Sequence, residues 1–270
     1  MHSTSTIRFA TFLAPNLYPM YEQIALFVGE RVGLPTTLTV GQSFEEFVAG
    51  RVDIGFICGL PYVHLADSPT CPIELLAAPV LQGERYRQKP LYFSDVIVRS
   101  ESRHTSFDDL EGCVWAYNQR TSHSGCNLVC YSLLERGKSP HYFGKTVETG
   151  SHQRSVQLVL AGQADAAAID SHMLDVFLSQ HAEVATKLRI IDMLGPSSIP
   201  PVVVSKSLNT DLKCRIQEVF MTMHQDPDAA RGLHAGLIER FVLVTDDDYR
   251  DIRTMYARVQ AAEFPFLLQP

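Results

Sequence analysis

SFEEFVAGRVDIGFI (residues 43–57) and SVQLVLAGQADAAAI (residues 155–169) follow one pattern. In each, a Ser opens a short amphipathic stretch, Ala-Gly closes it, an Asp follows three residues after the Gly, and an apolar run of strand length ends the unit. Gly suits a helix C-terminus that needs a left-handed residue. Ser suits a cap, and Asp a turn into the strand. Any helix–turn–strand unit converges toward such a form. The alternative is that two similar α/β lobes each contain one copy, with helix N-termini able to face a shared cleft.

Outward from these stretches, strand and helix patterns alternate. IRFATFL (7–13) predicts a strand, Pro19 to Val32 a helix and TTLTV (36–40) a short strand. Ser43 and Glu46 form an S-x-x-E capping box ahead of Phe47 and Val48. DIGFIC (53–58) is a continuous apolar run suited to the middle of a parallel sheet. The alternation lasts to about residue 205. Three helices are expected after it, over Asn209–Gln225, Pro227–Phe241 and Thr245–Glu263. The class is α/β with a helical C-terminal end. LYFSDVIVRS (91–100) and IIDMLGPSSIPPVVVS (190–205) are extended stretches, the second broken by Pro196, Pro200 and Pro201. They read as two hinge strands. Lobe one would be 1–95 plus 204–270, and lobe two 96–203.

A chain of 270 residues, 46% hydrophobic and 20% charged, can bury a sizeable core and has no disordered character. The net charge of −7, without Lys and Arg interleaved among aromatics, points away from nucleic acid. Apolar runs such as PPVVVS from Pro200 are strand-sized, so no direct membrane insertion is expected. The opening MHSTSTIRFATFLAP lacks a basic segment followed by a long apolar stretch. That leaves a cytoplasmic compartment if the chain is complete, or a periplasmic one if an export signal has been removed. Of the six cysteines (58, 71, 113, 126, 130 and 214), none forms a CxxC pair. They read as free, mostly buried thiols. His123, Cys126 and Cys130 would share a helical face, but no fourth ligand stands near, and neither a metal nor an organic cofactor is indicated.

Chemistry concentrates in QRTSHSGCNL (119–128), between the strand CVWAYN and an apolar helix. Thr121, Ser122 and Ser124 offer three hydroxyls, and Gly125 admits a close backbone approach. A helix starting here aims free N–H groups and its positive dipole end at whatever sits above. Alone, this is also what an ordinary Ser/Thr cap cluster looks like. ETGSHQRSV (148–156) places Gly150, Ser151, His152 and Ser155 at a second helix start, where His152 can donate to an anion. Two hydroxyl-rich helix starts in one lobe favour an anion site.

SHSG (122–125), GSH (150–152) ahead of VLAGQADAAAID, and AGRVDIGFICGLPYVHLAD (49–67) resemble, in order and spacing, the motifs of the phosphonate/phosphate-binding components of ABC transporters. The resemblance covers about residues 7–220. It implies the two-lobed type II periplasmic-binding-protein fold and a hinge that closes over a small oxyanion. Ligand oxygens would be held by Ser122, the His123 backbone, Ser124 and His152. Tyr18 and Tyr62 would form the closing wall of lobe one. It also implies an ABC permease as partner, and the protein is expected to be monomeric. Family members that take aminoalkylphosphonates are expected to hold the amine with acidic groups. Here one such position reads His172 and the other falls at or near Pro200, with Asp170 able to face the cleft or to cap a turn. A small oxyanion, or a phosphonate without an amine, is therefore expected. The rival reading is an enzyme on the same fold, with Cys126 in a first helical turn as nucleophile and His123 or His152 as base. A ligand sensor read by another partner is the third reading.

Overall fold

The computed structural model describes residues 6–262 and 264. In chain order the elements are β1 (Ile7–Thr11), α1 (Tyr18–Val32), β2 (Thr36–Val40), α2 (Glu45–Val48), β3 (Ile54–Phe56), α3 (Gly59–Ala66) and β4 (Ile73–Leu81). Then come β5 (Leu91–Arg99), β6 (Val114–Tyr117), α4 (Leu128–Glu135), β7 (Lys145–Glu148), α5 (His152–Leu160), β8 (Ala166–Asp170), α6 (Ser171–Gln180) and α7 (Ala182–Ala185). The last are β9 (Leu188–Ser198), β10 (Val202–Ser205), α8 (Thr210–Thr222), α9 (Pro227–Ala235), β11 (Ile238–Val242) and α10 (Arg250–Ala261).

The chain forms two compact units. Unit one runs up to Leu91 and takes in Ser198–Tyr249; unit two is Tyr92–Ser197 with the chain from Arg250 onward. Unit one has a six-stranded sheet in the order β11-β4-β10-β3-β1-β2, and unit two a five-stranded sheet in the order β7-β6-β8-β5-β9. Both are mixed. In unit one β1 runs parallel to β2 and β3, while β10 pairs antiparallel with β3 and β4. In unit two β6 is parallel to β7 and β8, and β5 is antiparallel to β8.

The two echoing segments adopt the same local structure. Gly50 and Gly162 both sit in the left-handed region, at φ 61° and 68°. Asp53 accepts the backbone N–H of Arg8 at 2.8 Å and returns its own N–H to the Arg8 carbonyl at 2.8 Å. Asp165 does both with Val114, also at 2.8 Å. In each unit, then, the Asp after the turn pins its strand to the neighbouring parallel strand. A bond to a charged acceptor is worth roughly 1.5–3 kcal/mol. The copies part at the Ser. Glu46 takes the N–H of Ser43 as a capping box requires, but Ser43 Oγ accepts from Glu45 rather than Glu46 and the N-cap of α2 is Phe44, so only half of the expected box forms. Ser155 instead lies inside α5, whose cap is Ser151.

Three expectations fail at the C-terminal end. The helix expected over Pro227–Phe241 stops at Ala235, because Gly236 ends it and Leu237 turns left-handed at φ 56°. The following residues become β11, which pairs antiparallel with β4. The helix expected from Thr245 starts as a short 3-10 turn, Asp246–Tyr249, before α10; its expected last residue, Glu263, lies outside the described residues. The lobe boundary moves too. Val259 of α10 and Phe264 are fully buried with Trp115, Cys126 and Leu128 in the core of unit two, so α10 and Phe264 pack there rather than with lobe one. The extended stretches at 91–100 and 190–205 are strands as expected, but the chain passes between units three times, after Leu91, Ser197 and Tyr249.

Candidate functional site

In α/β sheets, ligand crevices lie beyond the carboxyl ends of parallel strands. In unit two those ends are Tyr117 of β6, Glu148 of β7 and Asp170 of β8, and each leads into a helix start. After β6 the chain makes one wide π turn, His123–Asn127, before α4. Ser122 is its extended N-cap (φ −74°, ψ 130°), and its Oγ accepts the Gly125 N–H at 3.1 Å. That leaves the Ser122 hydroxyl proton free to donate. The first N–H groups of the turn have no acceptor within the helix. The Ser124 carbonyl accepts the buried Ser94 hydroxyl of β5 at 2.8 Å, which fixes the turn to the sheet.

After β7, Ser151 caps α5 by accepting the Arg154 N–H. This puts His152 at the first helical position, buried, with Nε2 3.1 Å from Ser124 Oγ and 3.2 Å from Asn118 Nδ2. The structure thus brings the two helix starts together through Ser124 and His152. Nδ1 of His152 is buried with no hydrogen-bond partner. Burial pushes the His152 imidazole down to about 4, so it is neutral near pH 7. Gly125 is required by space: a Cβ there would overlap the Asn118 carboxamide oxygen. The nearby cation is occupied, since Arg120 Nε lies 3.4 Å from Glu148 Oε2. What remains is a cluster of neutral hydroxyl, imidazole and backbone donors, suited to an anion.

The other expected residues fall in varied places. Thr121 is exposed at the mouth of the turn. The His123 side chain points inward: it is fully buried, with Nδ1 3.0 Å from Asn127 Nδ2 and Nε2 2.8 Å from Ser197 Oγ. Ser155 is buried behind the site, its Oγ 2.7 Å from Thr149 Oγ1. Asp170 caps α6 by accepting the Met173 N–H at 3.0 Å, and burial pushes its carboxyl up to about 7. In unit one, the half-buried Tyr18 donates its hydroxyl to the Leu38 carbonyl at 2.9 Å. Tyr62 is buried, donates to Asp246 at 2.7 Å and packs its ring against Tyr249. Asn118, Ser94 and Ser197 escaped the sequence reading. Asn118 had a signal, as the polar end of an otherwise apolar strand; the other two are single hydroxyls in strands, with none.

None of the six cysteines is in a disulfide. Cys113, Cys126 and Cys130 are buried, Cys58 and Cys71 are partly so, and Cys214 is exposed. Among the described residues no three His, Cys, Asp or Glu side chains converge as metal ligands, and no helix is long and apolar enough to cross a membrane.

The model of a family described as the phosphonate-binding periplasmic substrate-binding proteins of ABC transporters matches residues 9–249. A binding-protein component of an ABC phosphonate transporter from Pseudomonas aeruginosa superposes with a TM-score of 0.83 at 18% identity, covering 97% of this chain and 88% of that one. PhnD1 from Prochlorococcus marinus, in complex with methylphosphonate, gives 0.80 at 14% identity, covering 96% and 99%. A Xanthomonas citri protein bound to ATP gives 0.69 at 18% identity, covering 96% and 98%. The two mixed sheets are those of the type II periplasmic-binding-protein fold. With its β6–α4 turn and α5 start joined at Ser124 and His152, the chain belongs to the family of phosphonate-binding substrate-binding proteins of ABC transporters.

Proposed function

We propose that this protein captures a small phosphorus oxyanion without an amine, such as phosphate, phosphite or methylphosphonate, and presents it to an ABC permease as a monomer. The observation that carries the reading is the junction of Ser124 Oγ and His152 Nε2 at 3.1 Å, beside the Ser122-capped turn. Ligand oxygens take donors from Ser122, Ser124, His152 and the free N–H groups of the turn, with Thr121 at the rim. Tyr18 and Tyr62 supply the wall of unit one when the hinge closes. Several hydrogen bonds to a charged ligand, each roughly 1.5–3 kcal/mol, support micromolar or tighter affinity.

The preference against an amine rests on three residues. His172 is a base, Pro200 has no charge, and Asp170 spends its carboxylate on the Met173 N–H while burial holds it near neutrality. An ammonium group would find no full counter-charge among them. The placement of Cys126 speaks against catalysis. It is fully buried in the apolar core of unit two, with the Cys130 thiol, itself pushed well up by burial, as its neighbour. A nucleophile needs an accessible thiolate.

Titration calorimetry with phosphate, phosphite, methylphosphonate, 2-aminoethylphosphonate, sulfate, acetate and ATP tests this. The expected result is binding of a phosphorus oxyanion, weaker binding of the amino compound, and an approximately tenfold or greater loss in Ser124→Ala on the scale above. Preference for 2-aminoethylphosphonate would reject the amine-free class. Tight binding of ATP alone would replace the small-ligand reading, and Ser124→Ala without effect would remove the site.

A further inference from the structure

The His123 side chain, which lies between the two ligand hydroxyls in sequence, is turned into a directed chain of hydrogen bonds. Ser197 Oγ donates to Asp251 Oδ2 at 2.6 Å. A carboxylate can only accept, so the Ser197 proton is committed to it. The Ser197 oxygen is then left to accept from His123 Nε2, 2.8 Å away, and His123 Nδ1 accepts from Asn127 Nδ2 at 3.0 Å. The acid at one end therefore sets the tautomer of a buried, neutral imidazole at the other. Burial holds that imidazole down at about 4, with Asp251 pulling the opposite way.

The three anchors of the turn sit at the three places where the chain passes between units. Ser197 is the last residue before the second passage, and Asp251 is the second residue after the third. Ser94, which holds the Ser124 carbonyl, is the third residue after the first passage. Within unit one, the segments flanking these passages are also tied to each other. The Ser198 hydroxyl donates to the Asp248 carbonyl, and the Tyr249 hydroxyl to the Ile199 carbonyl at 3.1 Å.

We propose that Ser197 and Asp251 are positioning residues that, through His123, couple occupation of the anion turn to the hinge segments. This rests on the reading that the turn binds a phosphorus oxyanion. Side chains that do not touch the ligand would then set both affinity and closure. Such coupling needs a two-state element that both sites bias, and the hinge is that element.

The test uses the full-length protein with methylphosphonate and phosphate. Ser197→Ala removes the link, Ser197→Thr keeps the hydroxyl, and Asp251→Asn allows the chain of donors to reverse. Expected are a fivefold to twentyfold weaker Kd in Ser197→Ala and a Kd within about twofold of wild type in Ser197→Thr, on the scale of one hydrogen bond. The ligand-induced drop in radius of gyration, read by X-ray scattering, should shrink in Ser197→Ala at saturating ligand. Nitrogen-15 spectra should show His123 protonated at Nε2 in wild type and shifted toward Nδ1 in Asp251→Asn, a change that loss of packing alone would not produce. Ser197→Ala with wild-type affinity and full compaction would overturn the coupling while leaving the oxyanion reading intact. So would an unchanged tautomer in Asp251→Asn. A wild-type protein that binds neither ligand would take both down.

Discussion

The two echoing segments build the same Gly-Asp turn into a strand in both units, yet only one of them stands at the proposed site. In unit one the segment carries a four-residue helix just after the exposed Ser43, with no side-chain cap, and its Asp53 adds a bond to the half-exposed Arg8 guanidinium. In unit two a nine-residue α5 starts one turn earlier, at Ser151, and that extra turn carries His152 to Ser124. Gly and Asp, which repeat, make the fold. Ser151, His152 and the turn at 122–127, which do not repeat, make the proposed site. A repeated fold element thus leaves its helix N-terminus free to diverge.

The largest effect should come from glycines that do different work in the two units. Gly125→Ala places a methyl against the Asn118 carboxamide, the partner of His152, and should cost about a hundredfold or more in oxyanion affinity, since overpacking of this kind costs 1–3 kcal/mol before hydrogen bonds are lost. Gly50 has open space around its Cβ position but a φ of 61°. Gly50→Ala should cost about 1 kcal/mol of stability and leave affinity unchanged. Calorimetry beside urea unfolding separates the two. Equal affinities in both variants would mean that Gly125 only shapes the turn.

Next in size is the pair of aspartates. Asp53→Ala and Asp165→Ala each leave a strand N–H without its carboxylate, a loss of about 2 kcal/mol. Asp53, itself buried, also accepts the half-exposed Arg8 guanidinium through both Nε and Nη2, which adds up to about 1 kcal/mol. Urea midpoints should therefore fall in both variants, somewhat further in Asp53→Ala. A loss confined to one variant would show that the sequence echo does not carry equal energy.

The legibility of the chain follows the same division. Alternating patterns and the two Gly-Asp turns are local and form where the residues call for them, as does the Glu46 half of the box at Ser43. The C-terminal end was not legible. Whether 238–242 completes a helix or pairs with an open edge of β4 depends on a strand some 160 residues earlier, and Gly236 alone does not decide it. At the site, Ser122, Ser124, Gly125 and His152 announce themselves by type and by helix-start position. His123 has the same local credentials, yet it turns inward because Ser197 and Asp251, distant in sequence, supply the partners. The hydroxyl of Tyr62 is likewise taken by Asp246. Sequence shows which groups are available, while long-range pairing decides which way they face.

The smallest predicted effect concerns acid, and it separates the units by charge state. In unit two, burial holds His123 and His152 at about 4, against about 6.5 in the unfolded chain. Their contribution is full above pH 6.5 and is lost as pH falls toward 4, because the unfolded chain takes up the protons. Asp170 works in the opposite sense. Its folded value of about 7 lies above the unfolded 3.8, so it favours the folded state as pH falls through that window. Unit one adds His64, lowered by burial and acting in the same sense as the other two imidazoles. Between pH 6 and 5 the two imidazoles of unit two, less the one carboxyl, amount to close to one proton. That corresponds to a loss of about 1 kcal/mol per pH unit. Asp170→Asn keeps a capping side chain but removes the compensating group, so the loss should rise to about 2 kcal/mol per pH unit, read from urea unfolding at pH 5 and 6. A slope left unchanged would mean that Asp170 is ionised in the folded protein. It would then offer a full negative charge beside the anion turn, and the argument against an amine-bearing ligand would lose its main support.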